Sequence, residues 1–254
     1  MATVQIKKHN DFEILTLSRG RANPLNTQVC EDISKELNRI DSDPSVRGLI
    51  ITGNTPGFFS VGLDLIELNS LDENGIQKFW ESWENMVMTL IKFKKPLISA
   101  INGYSPAGGC VIAVTCDYRV MAEDEKFVIG LNETGVGIVV PEYIFFLYEF
   151  WIGKSAAYQH LMDATLHSPS QALKAGLINE TCPMDEVLTK AIQKMESWLK
   201  KPDNVIQKSK MNMRAGLIRN IESTEKVSQE EKLKAWFDPK SKAVRDVLVA
   251  SLAK

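Results

Sequence analysis

Three short stretches of the chain hold the residues whose types and spacing could do chemistry. In the first, Gly108 and Gly109 stand where a strand-like apolar run gives way to an apolar stretch that could form a short buried helix. The first N–H groups of a helix have no intrahelical partner and lie at the positive end of its dipole, and glycine lets another group approach the backbone closely. Such a helix start suits an anion, or an oxygen that becomes negative during a reaction. Close packing of the helix against a strand is the alternative interpretation of the glycine pair.

The stretch Pro56–Asn69, PGFFSVGLDLIELN, contains a second helix start of this kind. Gly62 precedes Leu63, whose N–H falls at the predicted start, and Asp64-x-x-Glu67 has the spacing of a capping box. We interpret Asp64 as the N-cap rather than as an acid or a base. Two helix starts that converge on one oxygen would meet the requirement of an oxyanion hole.

The third stretch supplies a group that could transfer a proton. Glu133 is the one ionisable side chain in IGLNETGVGIVVP, residues 129–141, and most of its neighbours are apolar or glycine. An apolar pocket disfavours an ionised carboxylate, so burial would raise the pKa of Glu133 toward the range of a general base. The alternative is a loop glutamate that is exposed to water.

The composition is that of an ordinary globular protein. The chain has 254 residues, of which 44% are hydrophobic and 24% charged, with a formal net charge of −2. A charge so close to zero does not favour nucleic acid or an anionic membrane, and no apolar run reaches membrane-spanning length. The four cysteines follow neither a C-x-x-C nor a secreted pattern, and the N-terminus resembles a strand rather than a signal peptide. We therefore expect reduced thiols and a cytoplasmic location, and no metal site, since His9, His160 and His167 are scattered and no cluster of metal ligands is visible.

The remaining pattern predicts the elements that must position these stretches. Residues 3–18 are typical of a β-hairpin, and an amphipathic helix follows. Two short apolar strands, VRGLIITG and PLISAI, enclose a further helix, and after Pro141 the pattern becomes helical throughout. Strands that alternate with helices indicate an α/β fold with a mainly parallel sheet. We expect an α/β core over residues 1–200 and a helical C-terminal region over residues 201–254.

Together, these stretches resemble the crotonase, or enoyl-CoA hydratase/isomerase, superfamily over nearly the whole chain. Four motifs occur in the order and at the spacing of that family: RANPLNTQVCEDISKEL, FFSVGLDL, AINGYSPAGGCVIAVTCDYRVMAE and FVIGLNETGVGIVVP. The resemblance implies a crotonase-like spiral of ββα repeats with a C-terminal helical trimerisation region. It also implies an acyl-CoA thioester substrate, with coenzyme A as part of the substrate and no separate cofactor. The expected assembly is a homotrimer or a dimer of trimers, without nucleic acid or membrane partners.

The resemblance assigns roles to individual residues. The backbone N–H groups of Leu63 and Gly108 map to the pair that binds the thioester oxygen, and Glu133 maps to the catalytic acid–base. The residues expected to contact the substrate or its CoA are Val61, Gly62, Asp64, Leu65, Arg21 and Ala22.

Two further groups of residues are open to two interpretations. Arg19 and Arg21 suit the phosphates of CoA, or they form an ordinary solvated basic pair. Trp80, Trp83 and Met86 share one helical face, where they pack in the core, line the acyl pocket, or do both.

One position separates the reactions of the superfamily. Hydratases carry a glutamate directly after Gly-Gly-Cys and a second one in the later loop, whereas this chain has Val111 at the first position and Glu133 at the second. The pattern is most similar to the mitochondrial-type Δ3,Δ2-enoyl-CoA isomerases, which convert a 3-enoyl-CoA to the trans-2-enoyl-CoA in fatty-acid β-oxidation. An enoyl-CoA hydratase or another crotonase-type enzyme is the alternative reaction. A non-catalytic CoA-binding homologue is a further alternative, favoured by Val61, where the family usually has alanine.

Overall fold

The described residues form two β-sheets. The structure is a computed structural model that describes residues 2–224 and 227–252. The larger sheet has six strands in the order β1 (Val4–His9), β2 (Phe12–Leu17), β3 (Leu49–Gly53), β5 (Leu97–Ile101), β7 (Tyr118–Ala122) and β10 (Glu180–Cys182). Strands β1 and β2 form the antiparallel hairpin expected from the sequence, and the other neighbours in this sheet are parallel.

The smaller sheet is built mostly from the strands that follow those of the larger one. Its order is β4 (Gly57–Phe58), β6 (Gly103–Pro106), β8 (Ile129–Gly130) and β9 (Leu166–His167). The pairs β3–β4, β5–β6 and β7–β8 form successive turns of a spiral, and each turn leads into a helical segment. The turns stack closely, since a Cβ on Gly103 would lie 2.0 Å from the carbonyl carbon of Gly57. The predicted spiral of ββα repeats is thereby confirmed.

Helices make up most of the second half of the chain. Their bounds are α1 (Thr27–Ser42), α2 (Leu65–Leu68), α3 (Glu73–Lys92), α4 (Gly108–Thr115), α5 (Glu142–Ile152), α6 (Lys154–Met162), α7 (Pro169–Ala175), α8 (Val187–Leu199), α9 (Asp203–Ser223), α10 (Gln229–Phe237) and α11 (Pro239–Leu252). Short 3-10 helices occupy Glu133–Val136 and Met184–Glu186. Within residues 2–224 and 227–252, no helix has both the length and the apolar character needed to cross a membrane.

Helix α1 illustrates how the sequence specifies this arrangement. Its buried side chains include Ile33, Leu37 and Ile40, which recur at helical spacing on one face. The side chain of Asn26 caps the helix by accepting a hydrogen bond of 3.1 Å from the N–H of Val29. Strand β5, in the middle of the larger sheet, is buried along its whole length, as parallel strands covered on both faces are. The sheet and the helices around it therefore share one apolar core.

A buried ion cluster joins helix α9 to this core. The Asp117 carboxylate binds Lys210 Nζ at 2.8 Å and Arg214 Nη2 at 2.7 Å. Arg214 also donates to the carbonyl oxygen of Thr115, the last residue of α4, at 2.8 Å. Helix α9 is thus attached directly to the end of the helix that begins at Gly108.

The structure differs from the sequence-based expectation after Pro141. The predicted change to helix throughout is wrong, because β9 and β10 interrupt the helices and β10 adds a sixth strand to the larger sheet. Strand β6 is also absent from the prediction, since Gly103 and Pro106 are turn residues in local sequence, and pairing with β4 and β8 decides their conformation instead. The division of the chain at residue 200 stays a prediction.

Candidate active site

Backbone hydrogen bonds fix the segment that leads into α2. The N–H of Leu25 donates to Gly62 O at 2.8 Å, and the N–H of Asp64 donates to Leu25 O at 2.9 Å. Gly62 has φ +87°, in the left-handed region that glycine adopts without strain. The N–H of Leu63 lies between these bonded positions and has no acceptor among the described residues.

The side chains around the start of α2 are engaged in structural bonds. Asp64 Oδ1 accepts from the N–H of Glu67 at 3.0 Å, which confirms Asp64 as the N-cap. The other half of the predicted capping box is wrong, because the Glu67 carboxylate binds Arg19 at 2.7 Å and the Asn26 amide at 2.9 Å. Arg19 also binds Asp64 at 2.6 Å. Arg19 therefore holds α2 in place, and both terminal nitrogens of its partly exposed guanidinium bind carboxylates rather than a phosphate.

Helix α4 begins without a side-chain cap. Its first flanking residue, Ala107, has φ +47°, which is uncommon for a residue with a Cβ. The N–H of Ala107 donates to Gly130 O at 2.8 Å, whereas the N–H of Gly108 has no acceptor among the described residues. All eight residues of α4 are buried. The start of this helix therefore presents a backbone donor in apolar surroundings, with the helix dipole behind it.

Gly108 and Gly109, at the start of α4, are glycines for different steric reasons. A Cβ on Gly109 would lie 2.4 Å from the carbonyl oxygen of Ser60, so this glycine permits close packing. A Cβ on Gly108 would lie 3.3 Å from Cα of Gly62, and a Cβ on Gly62 would lie 3.0 Å from N of Gly108. The two helix starts are therefore in direct backbone contact. Close packing is therefore confirmed at Gly109, whereas the binding of an oxyanion at Gly108 stays a prediction.

Glu133 is the first residue of its 3-10 helix, and its side chain points into the protein. The residue is 9% exposed, and its Oε2 atom has no hydrogen-bond partner among the described residues. Burial raises the pKa of the carboxyl to about 7, because apolar surroundings favour the neutral form. The expected burial and raised pKa of Glu133 are confirmed. A carboxyl that titrates near neutrality can accept a proton and return it.

Neutral groups surround the Glu133 carboxyl. The Cys110 thiol of α4 and the Tyr143 and Tyr148 phenols of α5 lie within its electrostatic reach. Burial raises the pKa of all three of these groups, so they carry no charge at pH 7. Among the described residues, no cation pairs with Glu133. Its pKa is therefore set by burial.

Trp83 connects the surroundings of Glu133 to the start of α4. Its indole N–H donates to the Tyr143 hydroxyl at 3.1 Å, and its ring lies 3.1 Å from the position of a Cβ on Gly108. Because Tyr143 and Cys110 of α4 both lie within electrostatic reach of Glu133, the carboxyl and the helix start belong to the same apolar region.

A cleft of about 890 Å³ opens beside Tyr143. Its walls are α3, residues 137–143, the end of α9, and α10. Its apolar lining includes Trp80, Met88, Ile138, Val140, Tyr143, Ile221 and Trp236. This volume lies within the range of small-molecule sites. The sequence leaves open whether Trp80, Trp83 and Met86 pack in the core or line the acyl pocket. Trp80 lines the cleft, whereas Trp83 and Met86 are buried in the core.

Comparison with known proteins identifies the family. A family model described as enoyl-CoA hydratase/isomerase matches residues 8–244. The chain belongs to this family. The chain is 38% identical to enoyl-CoA delta isomerase 1, mitochondrial, of Mus musculus over 208 residues, which cover 82% of this chain and 72% of that protein. It is 26% identical to crotonyl-CoA hydratase of Syntrophomonas wolfei over 226 residues, which cover 85% of this chain and 83% of the hydratase.

The fold agrees with this assignment. The crystal structure of human mitochondrial delta3-delta2-enoyl-CoA isomerase superposes with a TM-score of 0.94 at 28% sequence identity. The match covers 99% of this chain and 98% of the human one. The crotonase-like architecture expected from the motifs is therefore confirmed.

In this member of the enoyl-CoA hydratase/isomerase family, most residues expected to contact CoA lie near the start of α2. The N–H of Val61 donates to Ala22 O at 3.0 Å, so these two residues are neighbours beside Gly62. Val61 is 36% exposed, and Arg21 is exposed as well. Leu65 is instead buried in the core. The contacts of these residues with CoA stay predictions.

Sequence reasoning missed three residues around Glu133. Tyr143 lies within electrostatic reach of the carboxyl, the Oδ1 atom of Asn132 is buried without a partner among the described residues, and Arg245 of α11 binds the carbonyl of Gly137. The apolar run around Tyr143 and the adjacency of Asn132 to Glu133 are local signals that could have found the first two. Arg245 gives no such signal, because it is 108 residues away from Gly137 along the chain.

The histidines also differ from the expectation. His160 Nδ1 and His167 Nε2 lie 3.2 Å apart, so the description of three scattered histidines is wrong for two of them. Burial lowers the pKa of His167, and the pair packs behind the segment that carries Glu133.

Proposed function

We propose that the chain is a Δ3,Δ2-enoyl-CoA isomerase, which shifts the double bond of a 3-enoyl-CoA to give the trans-2-enoyl-CoA. The observation that carries the proposal is the buried Glu133 carboxyl, whose Oε2 atom has no partner among the described residues, in the same apolar region as two touching helix starts. The similarity to enoyl-CoA delta isomerase 1 of Mus musculus supports the same reaction.

In the proposed mechanism, one carboxylate moves one proton. The Glu133 carboxylate removes a proton from C2 of the 3-enoyl-CoA, and the electron pair of the C2–H bond delocalises onto the thioester oxygen. The N–H groups of Leu63 and Gly108 donate to that oxygen and stabilise its negative charge. The protonated Glu133 then delivers the proton to C4, so that the double bond lies between C2 and C3. No atom is added or lost, and one acid–base residue is sufficient.

The residue at position 111 favours isomerisation over hydration. Hydration adds water across the double bond and normally uses a second carboxylate, which the resemblance places directly after Gly-Gly-Cys. This position holds Val111, which cannot ionise and is 1% exposed. The hydratase reaction is therefore the less favoured alternative, and it becomes an outcome of the test below.

The cleft that begins at Gly137, four residues after Glu133, suggests where the rest of the substrate binds. We place the acyl chain in the cleft beside Tyr143, whose lining is mostly apolar. The CoA would lie along the exposed edge near Arg21 and Val61. The cytoplasmic location stays a prediction.

We propose a homotrimer or a dimer of trimers as the assembly. Large apolar side chains are exposed on the C-terminal helices, including Val205 and Met213 on α9 and Val247 on α11. Exposed apolar side chains of this kind are typical of surfaces that bind another chain. Light scattering at several protein concentrations tests the proposed assembly.

The reaction is tested by offering 3-enoyl-CoA and 2-enoyl-CoA separately. An isomerase generates the conjugated enoyl-thioester absorbance from the 3-enoyl substrate, whereas a hydratase removes it from the 2-enoyl substrate. Glu133→Gln should lower isomerase turnover by about 10²- to 10⁴-fold while acyl-CoA still protects the variant from thermal unfolding. Glu123→Gln, at an exposed glutamate, is the matched control. Full turnover in Glu133→Gln would refute the assignment, and protection without turnover in the unmodified chain would favour a non-catalytic CoA-binding protein.

A further inference from the structure

Arg245 is a buried cation that the proposed mechanism does not use. It lies on α11 and is 0% exposed. Its Nη1 donates to Gly137 O at 3.1 Å, its Nε donates to Asn69 Oδ1 at 3.3 Å, and its Nη2 donates to Trp236 O. Each of these three direct partners is a neutral carbonyl or amide oxygen.

The three acceptors belong to three different parts of the proposed site. Gly137 ends the 3-10 helix of Glu133, and its N–H bonds back to the Glu133 carbonyl. Asn69 follows α2, the helix whose start presents the N–H of Leu63. Trp236 lines the cleft proposed for the acyl chain. One guanidinium therefore connects the acid–base segment, one helix start and the cleft wall.

The surroundings of Arg245 orient these bonds. The Asn69 amide nitrogen donates to Asp246 Oδ1 at 2.6 Å, and this leaves Asn69 Oδ1 directed at Arg245. Asp246 and Asp238 are the acidic groups that face Arg245 electrostatically. These two carboxylates favour the charged guanidinium electrostatically, while its donors bind the neutral oxygens.

The planar shape of the guanidinium is used as well. It stacks on the Trp236 ring with 4.0 Å between Cζ and the ring centroid. A Cβ on Gly137 would lie 2.8 Å from the carbonyl oxygen of Ser241, so α11 packs directly on the segment after Glu133. A guanidinium offers five donors in a fixed plane, whereas an ammonium is a point charge. Lysine at this position could not bind three oxygens in these directions and stack on the ring.

Burying a guanidinium is costly unless its donors are bonded, and an apolar side chain of similar size often gives equal stability. An apolar side chain would not reproduce the three directional hydrogen bonds of Arg245. We propose that Arg245 is a positioning residue, which holds the Glu133 segment against α2 and the cleft wall so that the carboxyl stays dry and aligned with the oxyanion donors. This inference rests on the proposed function.

The test compares Arg245→Met and Arg245→Lys with the unmodified chain and with Lys240→Met, a control at an exposed lysine on the same helix. Three measurements are made: steady-state kinetics with 3-enoyl-CoA for kcat and KM, the pH profile of kcat/KM, and hydrogen exchange at the amides of residues 133–138. The Ile138 N–H reports directly on this segment, because it donates to the Glu133 carbonyl at 2.9 Å.

We expect Arg245→Met to lower kcat by about 10- to 100-fold, the size of effect that a small misplacement of a catalytic group produces, with KM changed by less than about threefold. In Arg245→Met, water should reach Glu133 and lower the pKa of its carboxyl, because hydration favours the ionised form. Cys110, Tyr143 and Tyr148 are neutral and do not offset this effect. The acid limb of the pH profile should therefore move to lower pH, and exchange at Ile138 should accelerate. Arg245→Lys keeps the positive charge but loses the planar set of five donors, so about a three- to tenfold loss of kcat is expected.

Two results would overturn the inference. In the first, both Arg245 variants have the same kcat, pH profile and exchange rate as Lys240→Met. The other is a loss of kcat that only follows the folded fraction seen by circular dichroism, with the acid limb and the exchange unchanged. If Arg245→Met does not fold, Arg245→Lys decides by the same criteria. If the unmodified chain does not isomerise 3-enoyl-CoA, the proposed function fails, and exchange at residues 133–138 decides by itself whether Arg245 positions the segment.

Discussion

Two acidic stretches of this molecule have similar residues and opposite surroundings. Near the start of α2, the Asp64 and Glu67 carboxylates are bonded to Arg19, to Asn26 and to a backbone N–H. In the 3-10 helix, Glu133 is buried, and its Oε2 atom has no partner among the described residues. Both stretches follow a short strand of the smaller sheet.

The difference shows that the surroundings of a carboxyl decide its role. A carboxylate that accepts several charge-assisted bonds stays ionised and holds structure together. A carboxyl in an apolar pocket titrates near the working pH and is available for proton transfer. The α2 stretch therefore orients a backbone donor, while Glu133 carries the proposed chemistry. Substitutions in one stretch at a time therefore test whether the two carboxyl environments are independent.

The largest expected effect is a gain of stability in Glu133→Gln at high pH. The pKa of Glu133 is about 7 in the folded protein, above its ordinary value of 4.5, so the folded state binds more protons than the unfolded state between these values. The stabilisation is fully present below pH 4.5 and is lost as the pH rises through 7. At pH 8 the variant should be about 3 kcal/mol more stable than the unmodified chain, and the difference should shrink toward zero near pH 4.5.

Chemical denaturation at both pH values checks this prediction. Glu67→Gln is the matched control, and it should lower stability because it weakens the bonds to Arg19 and Asn26. A Glu133→Gln variant whose stability runs parallel to that of the unmodified chain at every pH would contradict the assignment of an uncompensated buried carboxyl.

The next effect concerns the pH dependence of the reaction. Because the first step needs ionised Glu133, kcat/KM should rise with pH up to a plateau, with an acid limb centred near pH 7. Well below this pKa, the rate should fall about tenfold per pH unit, which corresponds to about 1.4 kcal/mol. Stopped-flow assays with 3-enoyl-CoA from pH 5 to pH 9 measure the limb. A limb centred near pH 4.5 would mean that Glu133 is solvated.

The sequence predicts each stretch of this comparison but not what lies around it. Gly62, Gly108 and Glu133 carry local signals, since a glycine before a helix and one acid in an apolar run are visible without a fold. Strand β10 and the bonds of Glu67 carry no such signal. They depend on partners that are far away along the chain and come into contact only when the spiral folds.

A smaller effect is expected when the α2 stretch loses its shared cation. Arg19→Met removes the bonds to Asp64 and Glu67, and this should lower stability by about 1 kcal/mol, as for partly exposed ion pairs. Turnover should fall only a fewfold, and the acid limb should not move. Arg39→Met is the matched control, because Arg39 also bridges two carboxylates, those of Glu13 and Glu36. An acid limb that shifts in Arg19→Met would show that the two stretches are not independent.

The smallest effect separates Arg21 from Arg19, two residues before it. Arg21 is exposed, its guanidinium lies 5.6 Å from the Phe58 ring centroid, and it forms no ion pair with a carboxylate of residues 2–224 or 227–252. If it binds a CoA phosphate, Arg21→Met should raise KM for 3-enoyl-CoA by about two- to fivefold at low salt, the size of an exposed ion pair, with kcat and melting temperature unchanged. The difference should nearly vanish at about 1 M salt, where the screening length is about 3 Å, and Arg21→Lys should keep most of the affinity. Arg219→Met, at an exposed arginine of α9, is the control. A KM in Arg21→Met equal to that of the control at low salt would mean that Arg21 is an ordinary solvated cation, as the alternative interpretation of this pair holds.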